Sequence, residues 1–516
     1  MGMRHIRVWV VVTLASLITG CASLPAPQGR IETTALTDTT STRLGRAVAP
    51  GVAANPGMTG IHPLPNPQDA FAARVVLAGA AEKSIDAQYF LWHGDQVGTL
   101  LFEAIWRAAG RGVRVRLLID DVNTAGLDDA LAALDAHPGI EVRLYNPFSQ
   151  RSARGLNFLA DFTRLNHRMH NKSFTVDNQA SIVGGRNIAN EYFGAGPGLG
   201  FADLDVTAIG SAVRDVSRAF DLYWNSASAY PAAAFVGAPG PDGAAALEAR
   251  FTANRADPVS IAYIEAVRAS PLVRDLLDAR LALEWTNATV VHDDPAKTLD
   301  TTQRTDVLLF PALVRTMGQP QHTLDLVSPY FVPGTQGAAA LAKLASGGVK
   351  VRLLTNSLAA TDESAVHAGY AKHRQTLLKA GVHIFELMPT AAKNTLEHTG
   401  RFGVSSSSAL HAKTFSVDNR RIFVGSFNFD LRSARLNTEM GLVIDSAVLA
   451  RKQGEFFDGT VPRIAYEVRL APDGEKLQWI ERTDSGEKHY DTDPATSWFL
   501  RAKVNMLSVL PIDWLL

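Results

Sequence analysis

A single cysteine, Cys21, stands in 516 residues, which rules out an intrachain disulfide and a cysteine-built zinc cluster. Neither sign of charge is in excess: 50 Lys and Arg face 51 Asp and Glu. The broad positive field that a nucleic-acid duplex calls for is therefore missing, and no nucleic-acid partner is expected. Past residue 20 no apolar run approaches the ~20 residues of a bilayer-spanning helix. Carboxylates do not cluster in the pattern of a two-metal site, so neither a metal nor another cofactor is expected. What is present is 46% apolar residues, enough in a chain of this length for two domains with separate cores.

The amino terminus reads as a secretory signal. Arg4 and Arg7 precede an apolar run of 13 residues from Val8 to Gly20, and Ile18-Thr19-Gly20-Cys21 resembles a bacterial lipobox, whose cysteine is lipidated. Residues 1–21 are thus expected to form a lipoprotein-type signal ending at Cys21. Residues 22–66, rich in Pro, Thr, Ser, Gly and Ala, read as a flexible tether. By resemblance to sorted bacterial lipoproteins, Ala22 rather than Asp after the cysteine implies an outer-membrane position facing the periplasm. An uncleaved inner-membrane anchor is the alternative.

The body is built from a repeat. The strand-like segment 84–90 returns at 323–331, and 112–118 returns at 348–354. A helical pattern lies before each second strand, at 100–109 and 338–345, and third strands follow at 139–145 and 381–387. Strand-helix-strand order of this kind builds a mostly parallel or mixed sheet flanked by helices. The expectation is an α/β protein of two like domains, residues 67–225 and 301–460. Residues 226–300 join them with helices and no evident chemistry, and residues 461–516 form a hairpin and an apolar tail.

Each copy ends on a chemical motif. The first is His170-Asn171-Lys172-Ser173-Phe174-Thr175-Val176-Asp177 with Gly184, Gly185 and Asn187; the second is His411-Ala412-Lys413-Thr414-Phe415-Ser416-Val417-Asp418 with Gly425, Ser426 and Asn428. The intervals are identical: two residues from His to Lys, seven to Asp, seventeen to Asn. On a strand His, Lys, Phe and Val share one face, so imidazole and ammonium point the same way. A phosphate would then sit among two histidines, two lysines and two asparagines. Asp177 and Asp418 complete the motif and are counted with its catalytic set, but they fall on the opposite face, which suits a structural part in the Asp-Asn turn. Asp203 and Glu439, each before an alternating apolar run, are the candidates to orient the imidazoles, with Asp205 the rival of Asp203. Tyr89-Phe90 and Tyr330-Phe331 read as core or pocket wall, and Arg164, His167 and Arg168 as a basic face.

The doubled pattern resembles that of the phospholipase D superfamily. The resemblance implies one active site on a pseudo-two-fold axis between the two domains. One histidine attacks phosphorus to form a phosphohistidine, and the other serves as acid and then base. The repeat's symmetry does not decide which is which; His170 is taken as nucleophile and His411 as acid and base. Lys172, Lys413, Asn187 and Asn428 would bind the non-bridging oxygens. Segments 60–64, 164–169 and 465–470 further resemble the cardiolipin synthase C subgroup, which implies phospholipid substrates and transfer of a phosphatidyl group to yield cardiolipin, by a single chain held at a membrane through its lipid anchor. A hydrolase making phosphatidic acid is the alternative, and an endonuclease of the same superfamily a more distant one.

Overall fold

The computed structural model describes residues 24, 30–195, 200–278, 280–299, 304–389, 408–510 and 515–516. Cys21 and the expected signal, residues 1–21, lie outside the described residues.

Two mixed sheets carry the chain. The first runs, in spatial order, Glu284–Thr286, Thr59–Leu64, Asp205–Gly210, Ala180–Gly184, Ser173–Val176, Ser84–Leu91, Arg114–Asn123, Ile140–Tyr145 and Ala229–Pro231. The second runs Ala288–His292, Met440–Ile444, Arg421–Gly425, Thr414–Val417, Thr323–Val327, Lys350–Asn356, His383–Leu387, Ala465–Leu470, Leu477–Thr483 and Gly486–Tyr490. In each, three strands of the repeat are parallel and the motif strand joins them antiparallel. The parallel strands are buried along nearly their whole length, which explains their continuous rather than alternating apolar pattern. One buried ion pair recurs at the same register in both repeats. Asp86 meets Arg116 at 2.7 Å, and Asp325 meets Arg352 at 2.6 Å, each across neighbouring parallel strands.

Each sheet has its own apolar core, and a third core joins the repeats. There Ile61, Val183 and Val206 of the first pack against Val424, Met440 and Leu442 of the second. The junction is covalently short as well. Strand Glu284–Thr286 ends the first sheet, Ala288–His292 opens the second, and only Asn287 lies between them.

The tether expected over 22–66 is corrected from residue 30 onward. Arg116 donates to the Thr33 carbonyl at 2.8 Å, the Ala35 N–H donates to Asp221 at 2.9 Å, and Asn178 donates to the Leu36 carbonyl at 3.1 Å. Helix Arg43–Ala54 follows, capped by Thr42, and Thr59–Leu64 is an inner strand of the first sheet. A composition poor in aromatics did not keep this segment off the body, because its backbone groups find partners there. At the other end the expected hairpin gains a third strand, Gly486–Tyr490, and the tail contains helix Trp498–Ser508.

Candidate active site

Both motif strands turn tightly after their aspartates. Asp177 and Asn178 sit at φ 51° and 49°, Asp418 and Asn419 at 52°, left-handed pairs that open the three-residue turns joining Val176 to Ala180 and Val417 to Arg421. The Asp177 carboxylate accepts backbone N–H groups of Lys83 and Ser84 at 2.7 and 2.8 Å, and Asp418 accepts those of His322 and Thr323 at 2.7 and 2.9 Å. These bonds pin the hairpin to the start of the neighbouring strand, the structural part that suits the Asp-Asn turn.

The histidines precede their strands, which begin at Ser173 and Thr414, and each is hooked to the other repeat. The His170 N–H donates to the Thr438 carbonyl at 2.8 Å, and the His411 N–H to the Ala202 carbonyl at 2.9 Å. Those carbonyls belong to the residues just before Glu439 and Asp203. The side chains meet the same way: His170 Nδ1 lies 2.8 Å from Glu439 Oε2, and His411 Nδ1 lies 2.6 Å from Asp203 Oδ2. An ionised carboxylate only accepts, so opposite Asp203 the His411 Nδ1 carries the proton and Nε2 is left with its lone pair, and the same holds for His170 whenever Glu439 is ionised. Each imidazole is thus oriented by the opposite repeat. Asp205, the rival acid, is instead paired with buried Arg74 at 2.9 Å and Arg186 at 3.5 Å.

The two acids are seated differently. At Gly185 a Cβ would overlap the Asp203 carboxylate, so only glycine leaves room for it. The matching residue of the second repeat is Ser426, whose hydroxyl donates to Glu439 Oε2, while the Ser433 hydroxyl donates to Oε1 at 2.7 Å. Behind Glu439 stands a pair from the connecting segment, where the sequence showed no chemistry. Asp293 Oδ2 accepts the Glu439 N–H at 2.8 Å, and Lys297 Nζ reaches Asp293 Oδ1 at 3.0 Å and the Ser433 carbonyl at 2.8 Å. All three residues are buried. In sequence Asp293 and Lys297 look like an ordinary surface pair four residues apart.

Lys172 and Lys413 are buried, each turning its ammonium to the carbonyl of its own histidine. Asn428 Oδ1 is buried without a partner, whereas Asn187 accepts from the Leu91 N–H at 3.3 Å and donates to the Tyr192 hydroxyl at 3.0 Å. Aromatic rings wall both imidazoles. Phe90 packs edge-on to His170 at 4.8 Å, and Tyr192 and Phe201 lie 4.9 and 5.2 Å from His411. Tyr89 and Phe331 are core. Arg164 and Arg168 do not form a free basic face; they pair with Asp161 and Asp120.

Burial governs the charges here. It pushes Lys172 down to about 7 and Lys413 down to about 8, and Glu439 up to about 7. Burial and then the two lysines hold both histidines well below the usual imidazole range. Asp203 goes the other way: burial opposes ionisation, but His411, Lys413 and Arg186 outweigh it and keep its carboxyl low. One dyad therefore has a firmly ionised acid and the other an acid that titrates near neutrality. Among the described residues one group of metal-ligating type comes together, His93, Asp95 and Glu191. It is partly exposed, and both Asp95 oxygens already accept backbone N–H groups, from Gly98 and Asn190.

Residues 76–196 and 313–460 match the family described as cardiolipin synthase, PLD-like domain. The chain is 46% identical to "Cardiolipin synthase C" of Escherichia coli over 92% of its own length and the whole of that relative. It is 25% identical to the "Major cardiolipin synthase ClsA" of Bacillus subtilis, over 72% of this chain and 62% of that one. The crystal structure of a phosphatidylserine synthase from Haemophilus influenzae shares the fold, with a TM-score of 0.51 at 14% identity, over 81% of this chain and 91% of that one. With both motifs in one site and both repeats matched, the chain belongs to the phospholipase D superfamily, in its cardiolipin synthase family.

Proposed function

We propose that this protein is a phosphatidyltransferase that makes cardiolipin through a phosphohistidine. The observation that carries the reading is the crossed pair of dyads, which presents two imidazole Nε2 atoms, each oriented by a buried carboxylate, to one phosphorus. His170 Nε2 attacks the phosphorus of a donor phospholipid, and the bond to the headgroup oxygen breaks as His411, which carries a second proton on Nε2 at this stage once the anionic phosphate is bound beside it, gives that oxygen the proton. His411 then takes the proton of an acceptor hydroxyl, on phosphatidylglycerol, whose oxygen displaces His170 and leaves cardiolipin. The firmly ionised Asp203 supports the proton-carrying part for His411, since it stabilises an imidazolium. His170, held low and facing an acid that titrates near neutrality, stays neutral and nucleophilic. Lys172, Lys413 and the side-chain amide N–H groups of Asn428 would hold the non-bridging oxygens, and the lipid phosphate would in turn restore full charge to the two lysines.

Transfer rather than hydrolysis is favoured by burial: the two histidines are only 7% and 8% exposed, between aromatic walls, so water has little access to the intermediate. The relative named "Cardiolipin synthase C" gives the product class. The test is mass spectrometry of lipids after incubation with phosphatidylglycerol vesicles, alone and mixed with a second phospholipid. Cardiolipin is expected to exceed phosphatidic acid; phosphatidic acid as the main product in every mixture would replace transfer by hydrolysis.

The protein also acts at a membrane to which Cys21 is acylated, in this reading on the periplasmic side of the outer membrane. No helix among the described residues is long and apolar enough to cross a bilayer. Support comes from the lipobox-like Ile18-Thr19-Gly20-Cys21 after a basic and apolar start. Wild-type protein should incorporate labelled fatty acid and Cys21→Ser should not; absence of label from the wild type, or retention of residues 1–20, overturns it.

A further inference from the structure

Helix Trp498–Ser508 is apolar on two sides. Leu500, Val504 and Leu507, at helical spacing, rest against Leu358 and Ala368 of the second repeat. On the outward side Phe499, Lys503, Met506 and Leu510 are exposed, flanked by Trp498 and Val509. Such a face is costly to leave in water and is a mark of an interaction surface. Its members are also the unusual ones for the molecule. Among the described residues six large apolar side chains are exposed by two-thirds or more, and five of them are Trp498, Phe499, Val509, Leu156 and Leu159. Leu156 and Leu159 lie on the short helix Arg154–Ala160, shortly before the first motif.

The chain that follows each of these two helices is tied to one residue, Arg432. Arg432 donates through its side chain to the Asn166 carbonyl and side chain at 3.0 and 2.6 Å, just past the segment that bears Leu156 and Leu159. It also donates to Leu515, shortly after the terminal helix. Leu358, beneath the terminal helix, lies two residues after Asn356 at the end of strand Lys350–Asn356. The Asn356 side chain accepts the Leu410 N–H at 2.9 Å and donates to the Leu410 carbonyl at 3.1 Å, and Leu410 immediately precedes His411. The terminal helix therefore rests on the loop that follows the residue holding the chain just before the catalytic histidine.

We propose that the outward face of helix Trp498–Ser508, continued by Leu156 and Leu159, docks on the surface of an anionic phospholipid bilayer. This places the mouth of the site against the lipid headgroups. The occupant is chosen by chemistry. From Trp498 to Leu510 the chain carries Arg501 and Lys503 and no acid, so its charge complements an anionic surface. Tryptophan and phenylalanine beside cations are the side chains that settle at the boundary of headgroups and acyl chains, about 5–10 Å deep. The helix lies along that plane and does not span it. The inference rests on the proposed reaction for its choice of lipid, and it differs from the anchor at Cys21 in being a second contact, made by the folded body.

The test uses the full chain with Cys21→Ser, which removes the only cysteine. Phe499→Cys is labelled with an environment-sensitive nitrobenzoxadiazole dye, and Lys488→Cys, on the exposed edge strand Gly486–Tyr490, serves as the reference position. Vesicles of phosphatidylcholine containing phosphatidylglycerol should shift the emission at 499 to the blue and raise it, with no shift at 488. Vesicles of phosphatidylcholine alone should give a smaller change. No shift at 499, or equal shifts at the two positions, overturns the proposal, as does an equal response to the neutral vesicles. A shift that appears without vesicles as protein concentration rises would assign the face to a second copy instead. Cardiolipin formation from phosphatidylglycerol in detergent micelles is measured in parallel. Activity without a shift sinks the docking surface and spares the reaction, while a shift without activity does the reverse.

Discussion

Asp203 of the first repeat lies 2.6 Å from His411 of the second, and Glu439 of the second lies 2.8 Å from His170 of the first. Neither repeat owns a finished dyad. The crossing follows from the backbone, since each histidine's N–H is bonded to the carbonyl just before the acid that orients it. Asp203→Asn should therefore disable His411, the histidine 208 positions away, by favouring the wrong tautomer. Turnover is expected to fall about 10²–10⁴-fold with little change in KM. A loss confined to KM would mean that Asp203 serves binding and not the imidazole.

Nucleophile and proton carrier separate when the leaving group needs no proton. With a phosphatidyl p-nitrophenol donor, His411→Ala should release one equivalent of nitrophenol and retain a phosphatidyl group on His170, found by mass spectrometry of the peptide. His170→Ala should release none. The reverse pattern would exchange the two roles. On natural donors each substitution is expected to cost roughly 10³-fold or more, and the double variant scarcely more, because the residues act on one phosphorus in series.

Glu439 trades stability for function. Its folded pKa, about 7, is raised above the ordinary 4.5. Between those values the folded state keeps a proton that the unfolded chain has lost. The penalty thus begins as pH rises past the unfolded value and is complete above about 7. Glu439→Gln should accordingly be inactive yet more stable than wild type at pH 8, by an amount on the order of 1–3 kcal/mol. The gain should vanish towards pH 4. Thermal unfolding at the two pH values measures this, and a variant less stable at pH 8 contradicts it.

Asp293 and Lys297 act through Glu439. Lys297→Met leaves a buried carboxylate unpaired and should cost about 3–5 kcal/mol. Joining it to Asp293→Asn should recover most of that stability. Activity should not return with it, because the Glu439 backbone loses its charged anchor. The pH at which kcat declines on the acid side should also move in the double variant. A stable double variant with wild-type rate and wild-type pH profile would reduce the pair to a structural link.

What the sequence made legible was whatever recurs at fixed spacing. Two strand-helix-strand units and two motifs with equal intervals are local patterns, so the sheets, the hairpin turns and the identity of the acids could be read along the chain. The partnership of each acid with the opposite histidine could not, since it depends on how two sheets pack and spans 208 and 269 positions. Asp293 and Lys297 escaped for a related reason: a Lys four residues after an Asp is common on surfaces, and only burial against Ser433 gives the pair a task. Residues 30–66 were misread because their composition lacks the aromatics of a core, whereas their place is secured by backbone hydrogen bonds to the first repeat and an inner strand of its sheet.

Asn287 stands alone between the last strand of one sheet and the first of the other. Such a seam has no slack. To open and admit a lipid, the halves of the enzyme would also have to break the core they share and the backbone bonds that hook each histidine to the other repeat. Rearrangement of side chains around His170 and His411 would admit diacyl chains while that framework stays closed. Lengthening the chain at this one point by a few glycines would give the halves play and blur the distance between the histidines, an injury inflicted far from any atom that touches phosphorus.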